Sequence, residues 1–100
     1  MDNIKDYVDK LAEDLNEMSE EEIIEEIDEA LDIEITCSID GSYKGACIAI
    51  TLGGPNVYID TNSGMLEGYW GCDEWKQYLD SDIIKAVDDY IEELYECSRY

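Results

Sequence analysis

The chain has 100 residues, 45% of them hydrophobic, and a formal net charge of −21 with no histidine. That length and apolar content support one modest core, so residues 1–100 are read as a single acidic domain and not as a disordered acidic tail. The charge excludes direct binding to nucleic acid or to an anionic membrane surface, and it far exceeds the magnitude of about 2 to 8 that solubility asks of a small domain.

The opening MDNIKDYVDK has no basic region followed by an apolar run, and no apolar stretch approaches the roughly 18 residues of a membrane span. A cytoplasmic protein with a basic partner is the expectation. Thirteen isoleucines and four cysteines do not fit the composition of a halophile.

In the first segment Ile4, Tyr7, Val8, Leu11, Leu15 and Met18 recur at helical spacing, with acids on the opposite side. Ser19 then opens a second helix through Asp32, and Glu22 three residues later completes a capping-box pattern. Ile23, Ile24, Ile27, Ala30 and Leu31 form its predicted inner face. From Ile33 the period changes to two, and Ile33, Ile35, Cys37 and Ile39 alternate with Glu34, Thr36 and Ser38 as a strand with one buried face. A four-residue loop at 40–43 would pair Ile35 with Ile48 and Ile33 with Ile50, and would send Cys37 and Cys47 to opposite faces.

The glycines of GGP at 53–55 break the sheet before NVYID, and TNSG turns the chain so that Ile59 opposes Leu66. Gly64 can supply the positive φ that such a turn often requires. Alternation places Trp70 inside with Leu66 and puts Tyr58 and Tyr69 on the other face. CDEWKQYL is read as a short fifth strand in preference to a helical turn. A last helix, capped by Asp80 or Ser81, buries Ile83, Ile84, Val87, Tyr90, Ile91 and Leu94. The order is α-α-β-β-β-β-(β)-α: an α+β fold with an antiparallel four- or five-stranded sheet, two N-terminal helices and one C-terminal helix.

Little here points to catalysis. Without histidine there is no ready general base, so no enzyme is expected. LGGPNV lacks the helix and lysine of a phosphate-binding loop. The stretch from Asp60 begins like a calcium loop but has Met65 where glycine is needed and Gly71 where a bidentate glutamate belongs. The four cysteines show no metal-binding spacing and are read as reduced thiols. No cofactor and no metal are expected.

The charge remains to be explained. Fourteen of the 27 acidic residues fall in the first 32. Projection at 100° per residue turns Glu21, Glu22, Glu25, Glu26, Glu29 and Asp32 outward on the second helix. Asp89, Glu92, Glu93 and Glu96 lie outward on the last. Eight carboxylates over thirteen residues make roughly one per 2.4 Å along a helix, against about 1.7 Å on duplex DNA. Like charges four apart repel, so stability alone would have placed lysines there. Phenylalanine is absent, whereas tyrosine occurs eight times; Tyr58 and Tyr69 are candidate contact residues.

Small size, acidic helix faces and an antiparallel sheet together resemble the anti-CRISPR and anti-restriction DNA mimics of phages. The resemblance implies an inhibitor of a basic nucleic-acid-binding protein, such as a Cas effector or a restriction enzyme, acting in the host cytoplasm. It supplies no motif from which residue roles can be carried over. Two other classes fit the composition: an immunity or antitoxin protein capping a basic toxin, and an adaptor that binds through the tyrosines of the sheet.

Overall fold

The computed structural model describes residues 3–52 and 55–98; Gly53 and Gly54, the expected sheet break, lie outside them. Helix α1 (Ile4–Asn16) is followed by α2 (Glu20–Asp28), strands β1 (Asp32–Cys37), β2 (Tyr43–Thr51), β3 (Asn56–Asp60), β4 (Met65–Trp70) and β5 (Asp73–Tyr78), and helix α3 (Ser81–Ser98). The fold is α+β as the periodicities predict, and the fifth strand is present. The five strands form an antiparallel meander in sequence order.

Local chemistry sets the helix starts. Asn3 caps α1 by accepting from the Asp6 N–H at 2.8 Å. Ser19 and Glu22 exchange hydrogen bonds in a complete capping box on α2. The Asp80 carbonyl accepts the Ile83 and Ile84 N–H groups in the first turn of α3, while its own N–H donates to Asn16 Oδ1 at 2.9 Å. The end of α1 is thereby tied to the start of α3.

One face of the sheet carries the helices. Ile48, Ile59 and Leu66 stand side by side on β2, β3 and β4 and are fully buried beneath Val8, Leu15, Ile23, Ile27, Val87 and Ile91. Helix α1 lies on β4 and β5, α3 on β2, and α2 against α3. Gly68 makes the first of these contacts possible. A Cβ there would overlap Val8 Cγ2 and stand 3.0 Å from Ile4 Cδ1. At the edge, Trp75 Nε1 and Gln77 Nε2 both donate to Asp9 Oδ1, at 2.9 and 3.1 Å.

Several expectations are corrected. The β1–β2 register is two residues away from the one predicted: Ile35 opposes Ala46 and Ile33 opposes Ile48. The turn instead centres on Ile39 and Asp40, closed by the Gly41 N–H donating to the Ser38 carbonyl at 2.8 Å with Gly41 at φ 89°, and the register shifts at a bulge between Thr36 and Cys37. A two-residue slip leaves every side chain on its face, so the apolar pattern was blind to it. Ile39 consequently stands outside the sheet, fully exposed. Helix α2 stops at Asp28, not at Asp32, and Leu31 is 60% exposed in the connection to β1. Leu94 is exposed on the last turns of α3. Trp70 keeps the inward parity of Leu66 but is 45% exposed, because it stands two residues beyond Gly68, where the first turn of α1 already sits. The Ile59–Leu66 pairing and the positive φ of Gly64, 73°, agree with the sequence reading.

Candidate functional site

The twelve candidate residues fall on two opposite sides of the sheet. Glu21, Glu25 and Glu29 are exposed on the helical layer, and Glu26 is half-buried. Glu22 is also exposed, but its carboxylate accepts the Ser19 N–H at 3.1 Å and so helps to cap α2. Six carboxylates occupy the nine residues of α2. Among the described residues none of them belongs to an ion pair; the lysine pairs go to Asp9, Asp14, Glu67 and Asp89.

Helix α3 divides its acids between two flanks. On one, Tyr90 donates a hydrogen bond to Asp28 of α2, and its hydroxyl pKa is raised by that bond first, by burial next, and further by the charges of Asp28 and Glu93. The acidic stripes of the two helices therefore meet at Tyr90. On the other flank, Asp89 and Glu92 line a cleft of about 610 Å³ with Lys44, Lys85 and Tyr43. There Lys85 neutralises Asp89 at 2.7 Å. Tyr43 donates to Asp88 at 2.7 Å; burial, then this bond, pushes its hydroxyl far above its usual pKa. Glu96 is half-buried. Tyr95 donates to the Gly41 carbonyl at 2.6 Å and holds α3 to the β1–β2 turn.

Asp32 does not belong to this layer. It is the first residue of β1, and the register Asp32–Ala49–Tyr58–Glu67 carries it across to the uncovered face of the sheet. Tyr58 and Tyr69 lie on that same face, with ring centroids 6.0 Å apart in an edge-to-face arrangement. Together with Glu34, Cys47 and Glu67 they line a depression of about 360 Å³. Sequence reasoning did not find Glu34, Cys47 or Glu67 as parts of a site. Each is an isolated outward residue of its own strand, and only the register across four strands joins them; alternation combined with the hairpin pairings was the available signal.

Carboxylates dominate the electrostatics of this depression, with Lys76 beside Glu67 at 4.0 Å. The Cys47 thiol is pushed up by burial first and then by Asp60, Glu67, Glu34 and Asp32. The Tyr69 hydroxyl is raised by burial and then by Glu67, to which it donates at 3.3 Å. Elsewhere on the sheet, the TNSG segment forms the β3–β4 turn, with Asn62 N–H donating to Asp60 Oδ1 at 2.9 Å. Among the described residues no group of three cysteines or carboxylates is placed to hold a metal ion, and no helix is long and apolar enough to cross a membrane. All four cysteines are free thiols. No protein-family model matches the chain, and comparisons with characterised proteins and with solved structures gave no match.

Proposed function

We propose that this chain is an acidic inhibitor that presents carboxylates in place of nucleic-acid phosphates and blocks the DNA-binding groove of a host-defence nuclease, a Cas effector or a restriction enzyme. One observation carries the reading: the carboxylates of α2, none of them in an ion pair among the described residues, meet the Glu93 flank of α3 at Tyr90. Along α2 the spacing is roughly one charge per 2.2 Å, close to the about 1.7 Å of duplex DNA. The arrangement works against the stability of the protein itself. Glu21–Glu25 and Glu25–Glu29 repel at helical spacing, by about 0.2 to 0.5 kcal/mol each. Among the described residues no helix has a basic residue in its last turn to offset the macrodipole. Charge held at such a cost is explained by an external cationic surface, whose phosphate-binding lysines and arginines would be steered to it over a long range.

An immunity protein for a basic toxin would use the same layer, and only the partner separates the two readings. The test is a tagged pull-down from bacterial lysate containing CRISPR and restriction systems. A nuclease retained at low salt, released at high salt and displaced by its own DNA target supports mimicry. Retention of a protein with no DNA-binding groove, or of a nuclease that DNA does not displace, overturns it.

A further inference from the structure

We infer that the uncovered face of the sheet is a second docking site, built to take an arginine side chain of a protein partner. This face lies on the opposite side of the sheet from the helical layer and acts independently of whatever enzyme that layer engages. Its shape comes from residue size. Ala49 and Cys47 are small residues on β2, flanked on one side by Asp32 and Glu34 of β1 and on the other by Tyr58 of β3. The low floor between taller neighbours creates the depression. Its aromatic wall is the Tyr58–Tyr69 pair.

Charge then selects the occupant. Carboxylates stand at both sides, Asp32 and Glu34 from β1 and Glu67 from β4, three strand spacings or roughly 14 Å apart. Glu67 has only 15% of its side chain exposed, yet its ion-pair partner among the described residues, Lys76, is 4.0 Å away and itself 46% exposed. Its other partner, the Tyr69 hydroxyl, is at 3.3 Å. A largely desolvated carboxylate with two contacts at the outer limit of hydrogen-bond and ion-pair range retains capacity for a strong donor. The negative field at Cys47 comes from four carboxylates on three strands, so the potential belongs to the face and not to one residue.

A guanidinium meets these conditions better than an ammonium. Its planar fork can give two parallel hydrogen bonds to one carboxylate, here Glu67, while its flat face stacks on a tyrosine ring. Asp32 and Glu34, across the depression, attract the same charge from a distance. A second copy of this chain is disfavoured by the −21 charge on each molecule. A divalent ion has no cluster of ligands here among the described residues.

The experiment is an amide NMR titration of the full chain with a capped Gly-Arg-Gly-Arg-Gly peptide and with its lysine counterpart, at equal ionic strength. The expected result is saturable shifts at Glu34, Cys47, Tyr58, Glu67 and Tyr69, with the lysine peptide weaker by about two- to fivefold. Glu34→Gln, at an exposed position that leaves packing intact, and Glu67→Gln should each weaken the arginine peptide while the rest of the spectrum stays unchanged. Shifts spread along α2 and α3 instead, equal affinity for the two peptides, insensitivity to both substitutions, or no saturation at millimolar peptide would each overturn the inference.

Discussion

Gly68 is a point of close approach between α1 and β4, and filling it tests their packing. Replacing it with alanine drives a methyl group into Val8 Cγ2, with Ile4 Cδ1 and Cγ1 at 3.0 and 3.2 Å. Both neighbours are core residues, 0% and 5% exposed, so neither can swing into solvent. Helix α1 must therefore lift from β4, which should cost about 1 to 3 kcal/mol, the usual penalty for one extra methylene in a filled core. For a domain of this size that lowers the melting temperature by about 4 to 8 °C per kcal/mol. Urea denaturation followed by tryptophan fluorescence reads the change directly, since Trp75 sits against α1 and donates to its Asp9. A double-mutant cycle separates the clash from a general intolerance. Val8→Ala alone opens a cavity and destabilises, but beside Gly68→Ala the two changes should compensate, with a coupling of about 1 kcal/mol or more. Additive effects, or a Gly68→Ala variant within about 0.5 kcal/mol of the parent, would refute the close approach of α1 to β4.

Changing Glu22, Glu25 and Glu29 together to glutamine removes like-charge repulsion, while a glutamine side chain at position 22 still accepts the Ser19 N–H in the capping box. Thermal denaturation should therefore show a small gain, a few tenths of a kcal/mol per relieved pair. Asp9 has its carboxyl pKa lowered, first by the Lys5 hydrogen bond and also by Trp75 and Gln77. A depressed folded pKa means that its contribution is present above the unfolded carboxylate range near about 3.9 and is lost as pH falls through the folded value. Asp9→Ala should thus destabilise by about 1 to 3 kcal/mol at neutral pH, and its difference from the parent in denaturant titrations should shrink on acidification. Cys47 is half-buried and its thiol is raised by burial and four carboxylates, whereas Cys37, Cys72 and Cys97 are exposed. Iodoacetamide footprinting by mass spectrometry should find Cys47 the slowest to react at pH near its ordinary range of about 8.5.

The fold was legible where one periodicity met one buried surface. Ile23 and Ile27, or Ile59 opposite Leu66, could occupy no other place once the faces were assigned. It was less legible where coverage depends on tertiary placement. Leu31 keeps the spacing of an inner face but falls beyond the end of α2, Leu94 lies exposed on the last turns of α3, and Trp70 is inward by parity but stands past Gly68, where the first turn of α1 sits. The hairpin register escaped for a related reason, since a slip of two residues conserves every face and only the Gly41 turn decides it. Of the candidate site, the acidic stripe of α2 could be read from its own sequence. That it joins α3 at Tyr90, and that Asp32 belongs instead with Tyr58 and Glu67, are consequences of chain reversal and register that no local pattern contains.

The most direct test of phosphate mimicry is the salt and DNA dependence of partner binding, measured for the parent and for the variant with Glu22, Glu25 and Glu29 changed to glutamine, against the same nuclease. Mimicry predicts that DNA competes with the parent, that affinity falls steeply with salt, and that the variant binds more weakly with a shallower salt slope while remaining as stable as the parent or slightly more so. Equal affinity and equal salt slope for the two proteins would contradict it.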